Sequence, residues 1–173
     1  MNQIINQAAP LIDRLPARQL EDRELSQRFL GFTIGDSVNA LIPLVDLQAT
    51  IKISLSEILP VPQMNESLLG IINYGGKATW VLDLAHLMGG SGYLSAPELS
   101  TGMGMLFQVQ HETVALLIER VGTIETHALQ DCLPISDLMF SDRMRLFLSG
   151  YFIDADRQSR VVVDLDRVIK SIL

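Results

Sequence analysis

The sequence predicts a mainly β protein, built as small β-barrels or a sandwich with only brief helices. Three observations predict it. Apolar segments of strand length recur between turn-forming residues, with side chains alternating at period two. The layout of the first half returns in the second. Of the 173 residues, 48% are hydrophobic and only 19% charged, which suits a chain that buries a substantial core.

Residues 1–27 stand apart from the rest. They hold Pro10 and Pro16, then the charge-dense LEDRELSQR, with no long periodic apolar face. They read as an N-terminal extension, either partly helical around residues 17–28 or a solvated tail. From Arg28 onward the strand pattern takes over. Leu30, Phe32 and Ile34 alternate with smaller residues, Gly35-Asp36 turns the chain, and VNALI resumes. KATWVLDL follows Tyr74-Gly75-Gly76, where two glycines supply the positive φ angles of a tight hairpin. Farther on, Met105, Phe107 and Val109 alternate with Leu106, Gln108 and Gln110. His111-Glu112 then precedes TVALLI, and RLFLSGYFI leads through the polar DADRQS into RVVVDL.

The repeat sharpens this organisation. LLGIINYGGKATWVLDLAHLMG and FLSGYFIDADRQSRVVVDLDRVIKSIL each carry a glycine-bearing apolar strand, a hairpin loop, a second apolar strand, Asp-Leu and a short helix. Gly70 to Asp83 spans 13 residues and Gly150 to Asp164 spans 14, one loop residue apart. VNALIP and TVALLIE also correspond. The two copies meet near Gly89-Gly90-Ser91-Gly92, a flexible stretch by composition. A first barrel is therefore expected over about residues 28–90, a second over about 100–160, and a C-terminal helix over 164–172. Asp83 and Asp164 recur at the same strand-to-helix junction. Capping of free backbone N–H groups explains them better than a catalytic carboxylate pair.

Charge and motif content narrow the chemistry. Thirteen Lys+Arg against twenty Asp+Glu give a net charge of −7, without the basic cluster that phosphate backbones or anionic lipid require. The longest uncharged stretch, 14 residues between Asp83 and Glu98, is broken by glycines and too short to span a membrane. The N-terminus shows no basic start and no sustained apolar run, so a cytoplasmic protein is expected. The lone Cys132 leaves no internal disulfide, and the neighbouring Asp131 raises the thiol pKa. His86, His111 and His127 lie far apart with no HExxH or HxxxH spacing, and no phosphate loop or nucleophile elbow occurs. No catalytic residue, metal site or cofactor is expected. His86 is expected near a helix C-terminus, His127 at the surface, and Trp80 in the core or between the halves. Met103, Met105, Met139 and Met144 read as gap fillers or as an adaptable binding surface.

Over residues 28–173 the chain resembles the CheW family of chemotaxis coupling proteins. RFLGFTIGD resembles the family's opening strand and turn, LIPLVDLQATIKI its proline-led segment, and ILPVP the link that follows. LLGIINYGGKATWVLDLAHLMG is similar to its most recognisable stretch, VALLIERVGTI to an element of the second half, and FLSGYFIDADRQSRVVVDLDRVI to the closing hairpin and helix. The resemblance implies two five-stranded SH3-like barrels around a shared core and no catalytic activity. It implies an adaptor that joins a methyl-accepting chemoreceptor to the regulatory domain of a CheA-like histidine kinase, in chemotaxis, phototaxis or twitching motility. A structural module of a motility or pilus assembly without a kinase is the alternative. The implied partner-binding residues are Leu47, Gln48, Ala49 and Ile51, with Asn73, Tyr74, Gly75 and Gly76. Two departures bear on that surface. Gly75 stands where the family usually carries Arg, removing five donors. Ala49 and, in the second half, Thr123 stand where an acidic residue is usual.

Overall fold

The computed structural model describes residues 25–172, apart from Asp36, Leu94, Ser95, 97–99, Gln110 and Asp137. The extension of residues 1–24 lies outside the described residues. The first half supplies β1 (Ser26–Ile34), β2 (Val38–Pro43), β3 (Leu47–Ser54), β4 (Leu68–Tyr74), β5 (Lys77–Asp83) and the short helix α1 (Leu84–Leu87). The second supplies β6 (Thr101–Val109), β7 (Glu112–Ile118), β8 (Val121–Ala128), helix α2 (Asp142–Arg145), β9 (Leu148–Ile153), β10 (Ser159–Val163) and helix α3 (Leu165–Lys170). Ser26, Gln27 and Arg28, expected at the end of a helical stretch, instead pair in β1 with Ala128, His127 and Thr126. Ladder bonds offered by β8 outweigh a helical propensity that has no apolar face to bury.

The mainly β fold is as expected, in two five-stranded sheets. Their hydrogen-bonded orders are β8-β1-β2-β10-β9 and β3-β6-β7-β5-β4, running edge to edge without a ladder that closes either into a barrel. The same orders run across the boundary expected at residues 90–100. Each sheet takes two strands from one half and three from the other, so neither sheet is a half-sequence unit. Adding five to every strand number of one sheet, modulo ten, reproduces the other. The repeat is thus a pseudo-two-fold axis with exchanged strands, and parallel pairs β2–β10 and β5–β7 stitch the halves together.

This exchange explains the continuous apolar runs. Leu30, Phe32, Ala40, Ile42, Val161 and Val163 of one sheet share a core with Leu82, Met105, Phe107, Val114 and Leu116 of the other. The alternate residues face inward within each sheet. Phe29, Leu41, Phe152 and Val162 form one small core, while Ile53, Ile72, Val81, Leu106 and Leu117 form its counterpart. Central strands are buried on both faces and therefore carry no polar stripe. Trp80 packs against the shared core, as expected.

The repeated motif residues have repeated roles. Asp83 Oδ1 accepts the His86 N–H at 3.0 Å and Asp164 Oδ1 accepts the Arg167 N–H at 3.1 Å, each as a helix N-cap. Gly70 and Gly150 sit beside β-bulges whose extra residues are Leu69 and Ser149. A Cβ on Gly70 would stand 2.2 Å from the Leu59 carbonyl oxygen, and one on Gly150 2.9 Å from that of Leu133. Both carbonyls belong to single bridges, Leu59 with Ile71 and Leu133 with Tyr151, that cross close over the strand. The Gly89–Gly92 stretch is not a free linker. Gly89 N–H donates to the His86 carbonyl at 3.0 Å and Gly90 N–H to that of Ala85 at 2.9 Å.

Candidate functional site

The expected partner-binding residues fall in two places on one sheet. The β4–β5 hairpin tip is a two-residue turn in which Gly75 (φ 58°) and Gly76 (φ 81°) both take the left-handed conformation. Tyr74 and Lys77 face each other across it, and the Asn73 Oδ1 accepts the Gly76 N–H at 3.0 Å. These φ values match a type I′ turn, as the glycine pair requires. Nothing lies within 4 Å of a Cβ placed on either glycine. The missing Arg therefore leaves open surface, with Tyr74 38% exposed beside it.

The second group lies on β3, at the opposite edge of that sheet. Leu47 packs on the shared core, Ala49 and Ile51 on the sheet's own inner core. Among the expected residues of β3 only Gln48 is exposed, and Thr50 and Lys52 share that outward position. Gln48 is the extra residue of a bulge opposite Phe107 and Leu106, and its Nε2 donates to the Gln108 Oε1 at 3.3 Å. Among the described residues no hydrogen bond joins Leu47–Ile51 to Asn73–Gly76. The structure thus keeps two surfaces where the resemblance implied one set of residues.

A groove of about 1020 Å³ adjoins the β3 group and was missed by sequence reasoning. Leu47 and Gln48 line it together with Pro43, Val45, Leu165 and Ile169. Val45 is 80% exposed, an apolar side chain presented to solvent on the 3-10 turn Leu44–Asp46. The available signal was the isolated Val beside an Asp at the end of an otherwise buried strand.

The equivalent hairpin of the second half is charged rather than bare. Asp154 Oδ1 accepts N–H bonds from Gln158 at 2.8 Å and Asp156 at 3.0 Å, and its Oδ2 accepts from Arg160 Nε at 3.3 Å. The Gln158 N–H foremost, with Arg160, holds that carboxyl below its ordinary value. Arg160 also pairs with Glu125 at 2.8 Å, and Glu125 meets the His127 Nε2 at 3.0 Å. His127 is not the surface residue expected. Its ring stacks on Phe152 at 4.4 Å and meets Phe29 edge-on, closing the small core of that sheet. A histidine preceding a turn carries no sequence sign of such stacking.

Other reactive groups are held quiet. Burial raises the Cys132 thiol pKa, with the Tyr151 backbone bond partly opposing it; burial, not the exposed Asp131, is the cause. Burial, then the Glu119 and Asp83 carboxylates, raises the Tyr93 hydroxyl far above its ordinary value. Met105 and Met144 are buried gap fillers, whereas Met139 is exposed. Among the described residues no group of three or more His, Cys, Asp or Glu is placed to hold a metal, and no helix is long and apolar enough to cross a membrane.

Comparison with known proteins places this geometry. The family model for the CheW-like domain matches residues 28–173. The chain belongs to the CheW-like family. Among solved structures, the CheW-like fold is shared with the scaffolding protein TtCheW from Thermoanaerobacter tengcongensis. That match has a TM-score of 0.64 and 16% identity, covering 80% of this chain and 88% of that one. A search of curated proteins gives no match. The exchanged sheets, the bare glycine tip and the groove described above are therefore features of a CheW-like domain.

Proposed function

We propose that this CheW-like chain is a non-catalytic adaptor of chemotaxis-type signalling, acting in the cytoplasm. It would couple a methyl-accepting chemoreceptor to the regulatory domain of a CheA-like histidine kinase. The observation that carries this reading is the CheW-like match over nearly all the described residues. The two separated surfaces support it, because an adaptor must hold two partners at once, and a shift of one can then change the other through differential contacts. Exposed Tyr74 at one edge and Val45 near the other provide apolar anchors of the kind that dominate interfaces.

The experiment is calorimetric titration of the intact protein with the regulatory domain of a CheA-like kinase from the same organism. Micromolar or tighter binding, about −8 kcal/mol, supports the adaptor reading. Loss of that binding in Tyr74→Ala or Ala49→Arg, with the circular dichroism spectrum kept, would assign the respective surface. Because Ala49 packs partly inward, Thr50→Arg tests the same edge from its exposed side. Absence of binding to every kinase paralogue overturns the coupling role.

A further inference from the structure

Two sheets that do not close leave four strand edges, and these edges are not alike. The outer side of β4 is crossed by the Leu59–Ile71 bridge and that of β9 by the Leu133–Tyr151 bridge. The other two edges, β3 and β8, correspond under the exchange that maps one sheet on the other. Among the described residues neither carries a strand or a bridge on its outer side.

The phase of the ladder fixes what each edge offers. Leu55 N–H donates to the Ser100 carbonyl at 3.0 Å, one step beyond the Ser54–Thr101 pair. Hydrogen-bonded pairs alternate along an antiparallel ladder, so Ile53, Ile51 and Ala49 are the residues that bond to β6. Thr50 and Lys52 therefore turn their N–H and C=O groups away from the sheet, and both residues are exposed. Leu129 N–H donates to the Leu25 carbonyl at 2.7 Å and sets the same phase on β8.

Counted back from the 3-10 turns Leu55–Glu57 and Leu129–Asp131, Ile53 corresponds to His127 and Ile51 to Glu125. On β8 these positions are polar, with Glu125 held between Arg160 and His127. A strand added there would have to cover an ion pair, and charges at such positions keep edge strands from pairing. On β3 both positions are isoleucines on the sheet's inner core. A strand added there lengthens the ladder and an apolar face together.

Charge then separates the occupants. The charged residues along this edge are Asp46 just before β3, Lys52 within it and Glu57 in the turn after it. A second copy paired antiparallel about Ile51 or Lys52 sets the two Lys52 ammonium groups diagonal or directly opposite, which disfavours self-pairing. A carboxylate across from Lys52 meets no such conflict.

We propose that β3 is a strand-addition site. An extended segment of a partner protein pairs along Thr50–Lys52, with a carboxylate opposite Lys52 and apolar side chains beside Ala49 and Ile51. The partner's identity rests on the adaptor reading, but the test needs neither kinase nor receptor, so the two can fail separately.

The probe is a synthetic peptide in which Thr and Val alternate and a Glu replaces the central Thr; its twin carries Lys there. Amide hydrogen exchange of the full chain is followed by NMR. In the free protein Thr50 and Lys52 should exchange fast and Ile51 and Ile53 slowly. Saturating Glu peptide should slow Thr50 and Lys52 by about tenfold or more. The Lys twin should bind roughly two- to five-fold more weakly, and Lys52→Glu should reverse that order. Thr50→Pro removes an outward donor but no bond to β6, so it should abolish the protection while Ile51 and Ile53 stay slow. Exchange at Thr50 and Lys52 unchanged by the Glu peptide, protection that persists in Thr50→Pro, or an order of the twins unaltered by Lys52→Glu overturns the proposal. Protection that rises with protein concentration in the absence of peptide also overturns it, since the edge then pairs with a second copy.

Discussion

The β4–β5 and β9–β10 hairpins have one framework and two different tips. Both start at a bulge beside a glycine, both are crossed by a leucine bridge, and both end in an aspartate that caps a helix. The tips share nothing. One is two glycines and an exposed Tyr74; the other is an aspartate-nucleated loop tied by Arg160 to Glu125 of β8. Packing constraints fixed the framework in both copies, because each glycine faces a backbone carbonyl that cannot move aside. At the tips no neighbour dictates the side chains, so the copies were free to diverge toward different surfaces.

The framework can be broken most strongly at Gly70. Its φ of 144° and the 2.2 Å approach to the Leu59 carbonyl make Gly70→Ala cost on the order of 3 kcal/mol or more. Gly150→Ala meets Cys132 Sγ and the Leu133 carbonyl without a positive φ, so about 1–2 kcal/mol is expected. Urea unfolding of the two variants should rank them in that order; equal losses would show that the two crossings are energetically alike.

The aspartates come next. Asp83 is 1% exposed and holds both the His86 and the Tyr93 N–H, so Asp83→Ala loses a cap and strands a buried donor, about 2–3 kcal/mol. Asp164→Ala loses a cap nearer to solvent, about 1 kcal/mol. The same unfolding assay measures both, and equal effects would remove any role for the Tyr93 bond.

The tips separate by pH. The Asp154 carboxyl is held below its ordinary value, so its contribution is complete above the unfolded-state pKa and is lost as pH falls through the folded one. The Gln158 amide shift should titrate on acidification, and Asp154→Asn should abolish this. Tyr74–Lys77 contains no carboxylate and should stay flat. The smallest effect is expected for Gly75→Asn, within about 0.5 kcal/mol, since Asn accepts the left-handed position of this turn. A larger loss would show that the tip is more confined than its open surroundings indicate.

What the sequence made legible was local. Alternation at Leu30–Ile34, the Gly75-Gly76 turn and the capping aspartates each depend on neighbours a few residues away, and each was read correctly. Strand exchange was not legible, since a period of two says that VNALIP is a strand but not that its second neighbour is RVVVDL. The absence of any polar stripe in those runs was the one hint that both faces are buried. The candidate surface divides in the same way. Tyr74 and the glycines are where the motif put them, whereas the inward packing of Ala49 and the exposure of Val45 follow from a bulge and a 3-10 turn, marked in the sequence only by Val45 standing beside Asp46.

The exchanged strands also impose an order on synthesis. When β1 and β2 leave the ribosome they have only each other, and the remaining neighbour of β2 is β10, some 120 residues later in the chain. Strands β3 and β5 wait likewise for β6 and β7. At about 5–20 residues per second the first half spends several seconds as apolar hairpins with open edges. Neither sheet can be completed until the second half has been made, so a chain truncated after β5 is expected to yield no folded fragment.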